Sequence, residues 1–167
     1  MDSIEAGRVA HQRDDLLGVL ASVLSAHPDV RFAYLFGSMA KGRARRGSDV
    51  DVAVWLDVGP GVGSDRSAMM DRGLELEGVL ERALARRVQV VVLNLAPMAV
   101  QHNVLRHGLV IPGGDEPSRR GFYVDHARRY FDLEPARTLF ARRRMQRIAE
   151  GTFGGRARNG PESAGVD

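Results

Sequence analysis

A chain of 167 residues, 44% hydrophobic and 27% charged, has the length and composition of one globular domain with its own buried core. Its net charge is only +3, and it contains no cysteine, which excludes disulfides and thiolate metal sites. The opening residues, MDSIEAGRVAHQRDD, hold no apolar run of the signal-peptide kind, and no stretch reaches the roughly 20 apolar residues that span a bilayer, so a cytoplasmic location without membrane partners is expected.

Residues 4–26 read as a first helix, because Val9, Leu16, Leu17, Leu20, Val23 and Leu24 recur near three-to-four spacing and form one apolar stripe. Pro28 disfavours helix at the residue before it and ends the run. Residues 30–36, VRFAYLF, are rich in aromatic and branched side chains and predict a strand. Gly37 and Ser38 turn the chain, with Ser38 placed to cap a short helix through Met39 and Ala40. Residues 42–47 are glycine- and arginine-rich loop, and residues 49–56 form a second strand that opens on alternating acids. Residues 58–64, VGPGVGS, are a flexible connection.

Residues 64–86 predict a long helix that buries Met69, Met70, Leu74, Leu76, Val79, Leu80 and Leu84 and keeps Glu75, Glu77, Glu81 and Arg82 outside or at the rim. Gly73 and Gly78 each weaken it by roughly 1 kcal/mol relative to Ala. Residues 88–93 are a third strand. A helix starts near Pro97, where proline is tolerated, and ends at Gly108 after His107. Residues 109–111 are a short strand. Helices at 117–131 and 135–150 follow, joined at Asp132-Leu133-Glu134 as an antiparallel hairpin or one bent helix. The glycine-rich tail, residues 151–167, is expected to be disordered. The order of elements implies an α/β or α+β domain over residues 1–150: a mixed sheet flanked by helices, with C-terminal helices closing it. The short link between the first two strands allows antiparallel or tight parallel pairing.

The basic residues are unevenly made up. Of 24, only Lys41 is lysine. Arginines crowd the C-terminal part, as a solvated helix face or a surface for an acidic partner; direct nucleic-acid binding is not expected.

Strand side chains alternate faces, so Asp49 and Asp51 share one face while Val50 and Val52 turn to the core. Two carboxylates about 6–7 Å apart along a strand are costly without cations between them. Magnesium takes such oxygen ligands together with substrate phosphates. The Gly37-Ser38 turn offers a phosphate binder, through close backbone approach at glycine and free N–H groups at a helix start. Lys41, Arg43, Arg45 and Arg46 add positive charge nearby.

The Gly-Ser pair, ten residues, then Asp-x-Asp, in the form GSMAKGRARRGSDVDVAVWL, resembles the signature of the polymerase-β nucleotidyltransferase superfamily, and in particular its minimal nucleotidyltransferases. The stretch VQVVVLNLAPMAVQHNVLRHGLVI is similar to their third strand and the elements after it. VDHARRYFDLEPARTLFARRRMQRIAEG is similar to the C-terminal helices of MntA-type antitoxins. The resemblance implies that Gly37, Ser38, Lys41 and Ser48 hold the nucleotide and that Asp49 and Asp51 are catalytic and bind two Mg²⁺ ions. It also implies a function: transfer of AMP from ATP to a tyrosine of a cognate HEPN toxin, a HepT-type ribonuclease. The family usually has a third carboxylate on the third strand. Here Val88-Gln89-Val90-Val91-Val92-Leu93-Asn94 puts Gln89 in that place, and an amide can offer a carbonyl oxygen but cannot act as a base. A second reading follows, an antitoxin with weakened or absent transfer that neutralises its partner by binding. A small-molecule, aminoglycoside-type nucleotidyltransferase is a third, although little chain remains to shape an acceptor pocket. The five histidines stand apart as ligands; His102 and His107 are poorly spaced to share a metal on one helix.

Overall fold

The computed structural model describes residues 3–45, 47–57 and 65–149, with side chains over 13–45, 47–57 and 65–132. The expected flexible connection at 58–64 and disordered tail at 151–167 lie outside the described residues. Two compact units divide the chain, Met1–Ala127 and Arg128–Asp167.

The elements run α1 (Ser3–Leu24), β1 (Val30–Phe36), α2 (Gly37–Ala40), β2 (Val50–Leu56), α3 (Arg66–Leu84), β3 (Val88–Val92), α4 (Met98–His107), β4 (Leu109–Val110) and α5 (Glu116–Ala149). The sheet has the order β3-β2-β1-β4. β1 pairs antiparallel with β2 and with β4, and β2 pairs parallel with β3, so the sheet is mixed. The antiparallel alternative for the first two strands is the one realised: Phe36 lies opposite Asp51 and Ala33 opposite Val54.

Strand alternation sorts the core into two faces. On one, Val50, Val52, Val54 and Leu56 join Ala33, Leu35, Val88 and Val92, and are covered by Leu16, Leu20 and Leu24 of α1 and Met69, Leu76 and Leu80 of α3. The helix α3 comes close to β3: a Cβ at Gly73 would stand 2.9 Å from Val92 Cγ2, so this glycine is a packing requirement as well as a propensity cost. On the other face, Phe32, Tyr34, Ala53 and Leu93 meet Val104 of α4 and Phe122 of α5. Phe32 and Trp55 stack with ring centroids 5.9 Å apart, and Phe122 tilts against Trp55 at 4.8 Å.

One predicted feature is corrected. Ser38 does not cap α2: the helix already begins at Gly37, its N-cap position is Phe36, and no side chain bonds there. The extended backbone of β1 runs directly into the turn and leaves no separate cap residue. Of the two alternatives for the C-terminal segment, a hairpin or one helix, the single helix is the one realised, Glu116–Ala149. Leu133, Glu134, Ala136 and Arg137 are strong helix formers around Pro135, and their preference carries the helix through it. Smaller shifts are of one or two residues. Helix α3 starts after Asp65, whose carboxylate accepts from the Ser67 and Ala68 N–H groups. Asp49 stands just before β2 rather than inside it.

Candidate active site

The C-terminal end of β1, the first residues of β2 and the start of β3 meet at one end of the sheet. Asp51 lies between Phe36 on one side and Gln89 on the other. Val50, Val52 and Val88 are buried in the α1–α3 core, so Asp51 and Gln89 both turn to the opposite face. Asp49, two residues earlier, is exposed beside them. Register therefore brings together three of the residues singled out in the sequence: Asp49, Asp51 and Gln89.

Gly37 completes the corner. Its φ is 70°, in the left-handed region that glycine favours. A Cβ at this position would overlap Oδ2 of Asp51. The glycine thus makes room for a carboxylate of its own chain, in addition to any ligand it admits. Ser38 sits within the single turn of α2, where Arg43 N–H bonds its carbonyl at 2.9 Å. The first N–H groups of that turn have no acceptor within the helix. Lys41, exposed, ends the turn, its N–H reaching the Gly37 carbonyl at 3.4 Å.

Ser48 has a structural task. Its Oγ accepts the Arg45 N–H at 2.8 Å, and its carbonyl accepts from Arg86 Nη2 at 3.0 Å. The loop that delivers Asp49 is thereby fastened to the end of α3. Arg86 was not distinguishable in the sequence from the other arginines. Asn94 is a second such residue: its amide donates to the Leu56 carbonyl at 3.0 Å and accepts the Leu56 N–H at 2.9 Å, holding the far end of β2.

Burial, and then the charge of Asp49, push the Asp51 carboxyl above its ordinary value. A carboxyl whose ionisation is disfavoured in this way gains from a nearby cation, and hard carboxylate oxygens suit Mg²⁺. Among the described residues no group of three His, Cys, Asp or Glu side chains gathers around such an ion. The donor set is two carboxylates and the Gln89 amide.

The family model described as polymerase beta, nucleotidyltransferase, matches residues 19–117. The chain belongs to that family. It is similar to a chain of a crystal structure described as a toxin–antitoxin with AMP-PNP, at 25% identity and a TM-score of 0.60, covering 77% of this chain and 98% of the other. It is also similar, at 22% identity and a TM-score of 0.58, to a chain of a structure of the tri-AMPylated Shewanella oneidensis HEPN toxin in complex with MNT antitoxin, with 80% and 98% covered. An MntA–HepT toxin–antitoxin structure matches at 22% identity and a TM-score of 0.58. No curated protein matches the chain by sequence. Among the described residues no helix is long and apolar enough to cross a membrane.

Proposed function

We propose that this chain is an antitoxin-type protein adenylyltransferase, which transfers AMP from ATP to a tyrosine of a HEPN-domain ribonuclease toxin. The observation that carries the reading is the Asp49–Asp51 pair set against the positive-φ turn at Gly37. The nucleotide and the partner are carried over from the similar toxin–antitoxin structures, one described with AMP-PNP and one with an AMPylated HEPN toxin.

Asp49 and Asp51 would hold Mg²⁺, with the Gln89 carbonyl oxygen as a third, neutral donor. When bound, the metal supplies charge that offsets the negative charge developing around the α-phosphorus. Gly37 keeps side-chain bulk out of the corner, so phosphate oxygens can approach the backbone. Ser38 presents a first-turn N–H, and Lys41 a mobile positive charge, to the same anion. The Arg86–Ser48 bond fixes the loop and hence the position of Asp49.

Incubation with labelled ATP, Mg²⁺ and a HEPN-domain protein from a neighbouring gene is the direct test. Label on a partner tyrosine, lost in the Asp49→Ala, Asp51→Ala double variant, is the expected result. No label, or equal labelling by the double variant, overturns transfer.

A second reading is favoured by one specific observation. Gln89 lies in register beside Asp51, where a carboxylate would be able to take a proton from the attacking hydroxyl and an amide is not. On that reading the chain neutralises its partner by binding, with transfer slow or absent.

A further inference from the structure

Two histidines that stand apart in the sequence meet where α4 packs against α5. His126, one turn beyond Phe122, is only 3% exposed. Its partners are Gln101 and His102 on α4, and all three residues lie within the unit Met1–Ala127. The cluster is away from the nucleotide corner. Gln101 holds the chain just after β3, whose other end carries Gln89.

Hydrogen bonds fix which nitrogen of His126 carries its proton. Gln101 is buried, and its amide nitrogen donates to the Leu93 carbonyl at 3.0 Å and to the Ala96 carbonyl at 3.2 Å. Those bonds use both amide hydrogens and exclude the flipped amide. The Gln101 Oε1 is therefore an acceptor, 3.2 Å from His126 Nδ1, and Nδ1 donates to it. In the neutral ring Nε2 then carries a lone pair, and it faces His102 Nδ1 at 3.4 Å. That separation is long for a hydrogen bond from nitrogen. It matches two nitrogens on one tetrahedral zinc, which Zn–N bonds of about 2.0–2.1 Å set about 3.3–3.4 Å apart. The ring centroids are 5.6 Å apart, further than the nitrogens by about one ring width, so the rings meet nitrogen-first rather than face to face. A carbonyl oxygen behind a ligating imidazole is also how metal sites hold the tautomer and raise ligand basicity.

We propose that His126 Nε2 and His102 Nδ1 bind a divalent transition ion of the zinc, nickel or copper kind, at a site separate from the carboxylate corner. Imidazole suits these ions, whereas Mg²⁺ takes oxygen ligands. Among the described residues no third His, Cys, Asp or Glu joins the pair, so water fills the remaining positions and the site is weaker than one with three or four protein ligands. Without the ion, His102 Nδ1–H donates to His126 Nε2. On binding, that proton leaves Nδ1 and is taken up at His102 Nε2 through solvent, which frees the second lone pair for the ion. The ion ties α5 to α4 and, through Gln101, to the chain after β3. The inference does not depend on the nucleotide reading.

Thermal melting of the full chain in millimolar Mg²⁺, with and without excess Zn²⁺, tests the site. Zinc raises the Tm of wild type by on the order of 2–4 °C. The rise is the same in the Asp49→Asn, Asp51→Asn double variant and in His107→Gln. It is lost in His102→Gln, which changes a half-buried side chain, and in His126→Asn, whose amide still donates to Gln101. In NMR spectra, substoichiometric Cu²⁺ broadens the ring-proton signals of His102 and His126 before those of the other histidines. No rise in wild type overturns the proposal and leaves the two rings a hydrogen-bonded pair. A rise that survives both His102→Gln and His126→Asn, a rise lost with the two aspartates, or copper broadening that begins at other histidines places the ion elsewhere and also overturns it.

Discussion

Asp51 is the most constrained side chain of the site. It is half-buried, flanked by Phe36 and Gln89, pressed by the Gly37 backbone and repelled by Asp49. Its native pKa lies above the ordinary carboxylate value of 3.8, because burial first and Asp49 second favour the protonated form. The native state then binds more protons than the unfolded chain between pH 3.8 and that raised value, so its contribution to stability is lost as pH rises through that window. At neutral pH without metal, Asp51 costs stability. Asp51→Asn keeps the shape and removes the charge, so in EDTA at pH 7.5 its Tm should rise on the order of 2 °C, while partner labelling disappears. A melting scan that shows a fall would mean that the Asp49–Asp51 repulsion is already relieved in the metal-free chain. The acids and Gly37 were legible in the sequence because spacing alone places them at strand ends. That Gly37 must also clear Asp51 was not legible, since the overlap depends on how β1 and β2 pair.

The free edge of the sheet shows the same logic one level up. β3 is an edge strand, and exposed edge N–H groups invite pairing with other chains. Here Glu81 accepts the Val88 N–H at 3.2 Å and Glu77 accepts the Val90 N–H at 2.9 Å. Side chains that helical periodicity assigns to a solvated rim are thus used as caps for the neighbouring strand. The helix α3 is also tied to the turn before β1. Arg72 donates to Asp29 at 2.7 and 2.9 Å and to Glu75 at 2.9 Å, and His27 Nδ1 lies 3.1 Å from the same guanidinium, where it accepts. Hydrogen bonding to Arg72 holds the Asp29 carboxyl below its ordinary value. That stabilisation is present above pH 3.8 and is lost as pH falls through the depressed native value. Arg72→Met should lower unfolding free energy at pH 7 by about 1–2 kcal/mol, the range for charge-assisted bonds that are partly exposed. Urea unfolding from pH 7 down to pH 3 should show the gap between variant and wild type closing only in the acid range. A gap independent of pH would assign the effect to lost packing. Periodicity revealed α1, α3 and the three main strands because each buries one stripe or one face, although Met70 and Leu74, expected inside α3's stripe, are exposed. It did not reveal the partners of Arg72, which come from segments far away in the chain.

Over the whole molecule, the site is assembled by sheet order. β2 carries Asp51 and is entered through Asp49, β1 brings the glycine turn, and β3 brings Gln89. The first two lie within one continuous stretch and were readable together. The contribution of β3 depends on register, and only pairing shows that Gln89 stands beside Asp51. Gln89 is where the two proposed readings can be separated. In Gln89→Asp a third carboxylate joins two that already repel, so the metal-free variant should melt lower than wild type, and Mg²⁺ with ATP should restore more stability to it than to wild type. If the missing base limits transfer, labelling of the HEPN partner should rise about 10²–10⁴-fold, the usual worth of a positioned base. If the chain acts by binding alone, neutralisation of the partner's ribonuclease activity is the same for both proteins, and wild type leaves no label at any time. Labelling by wild type at a rate that Gln89→Asp does not improve would show that this corner needs no carboxylate on β3.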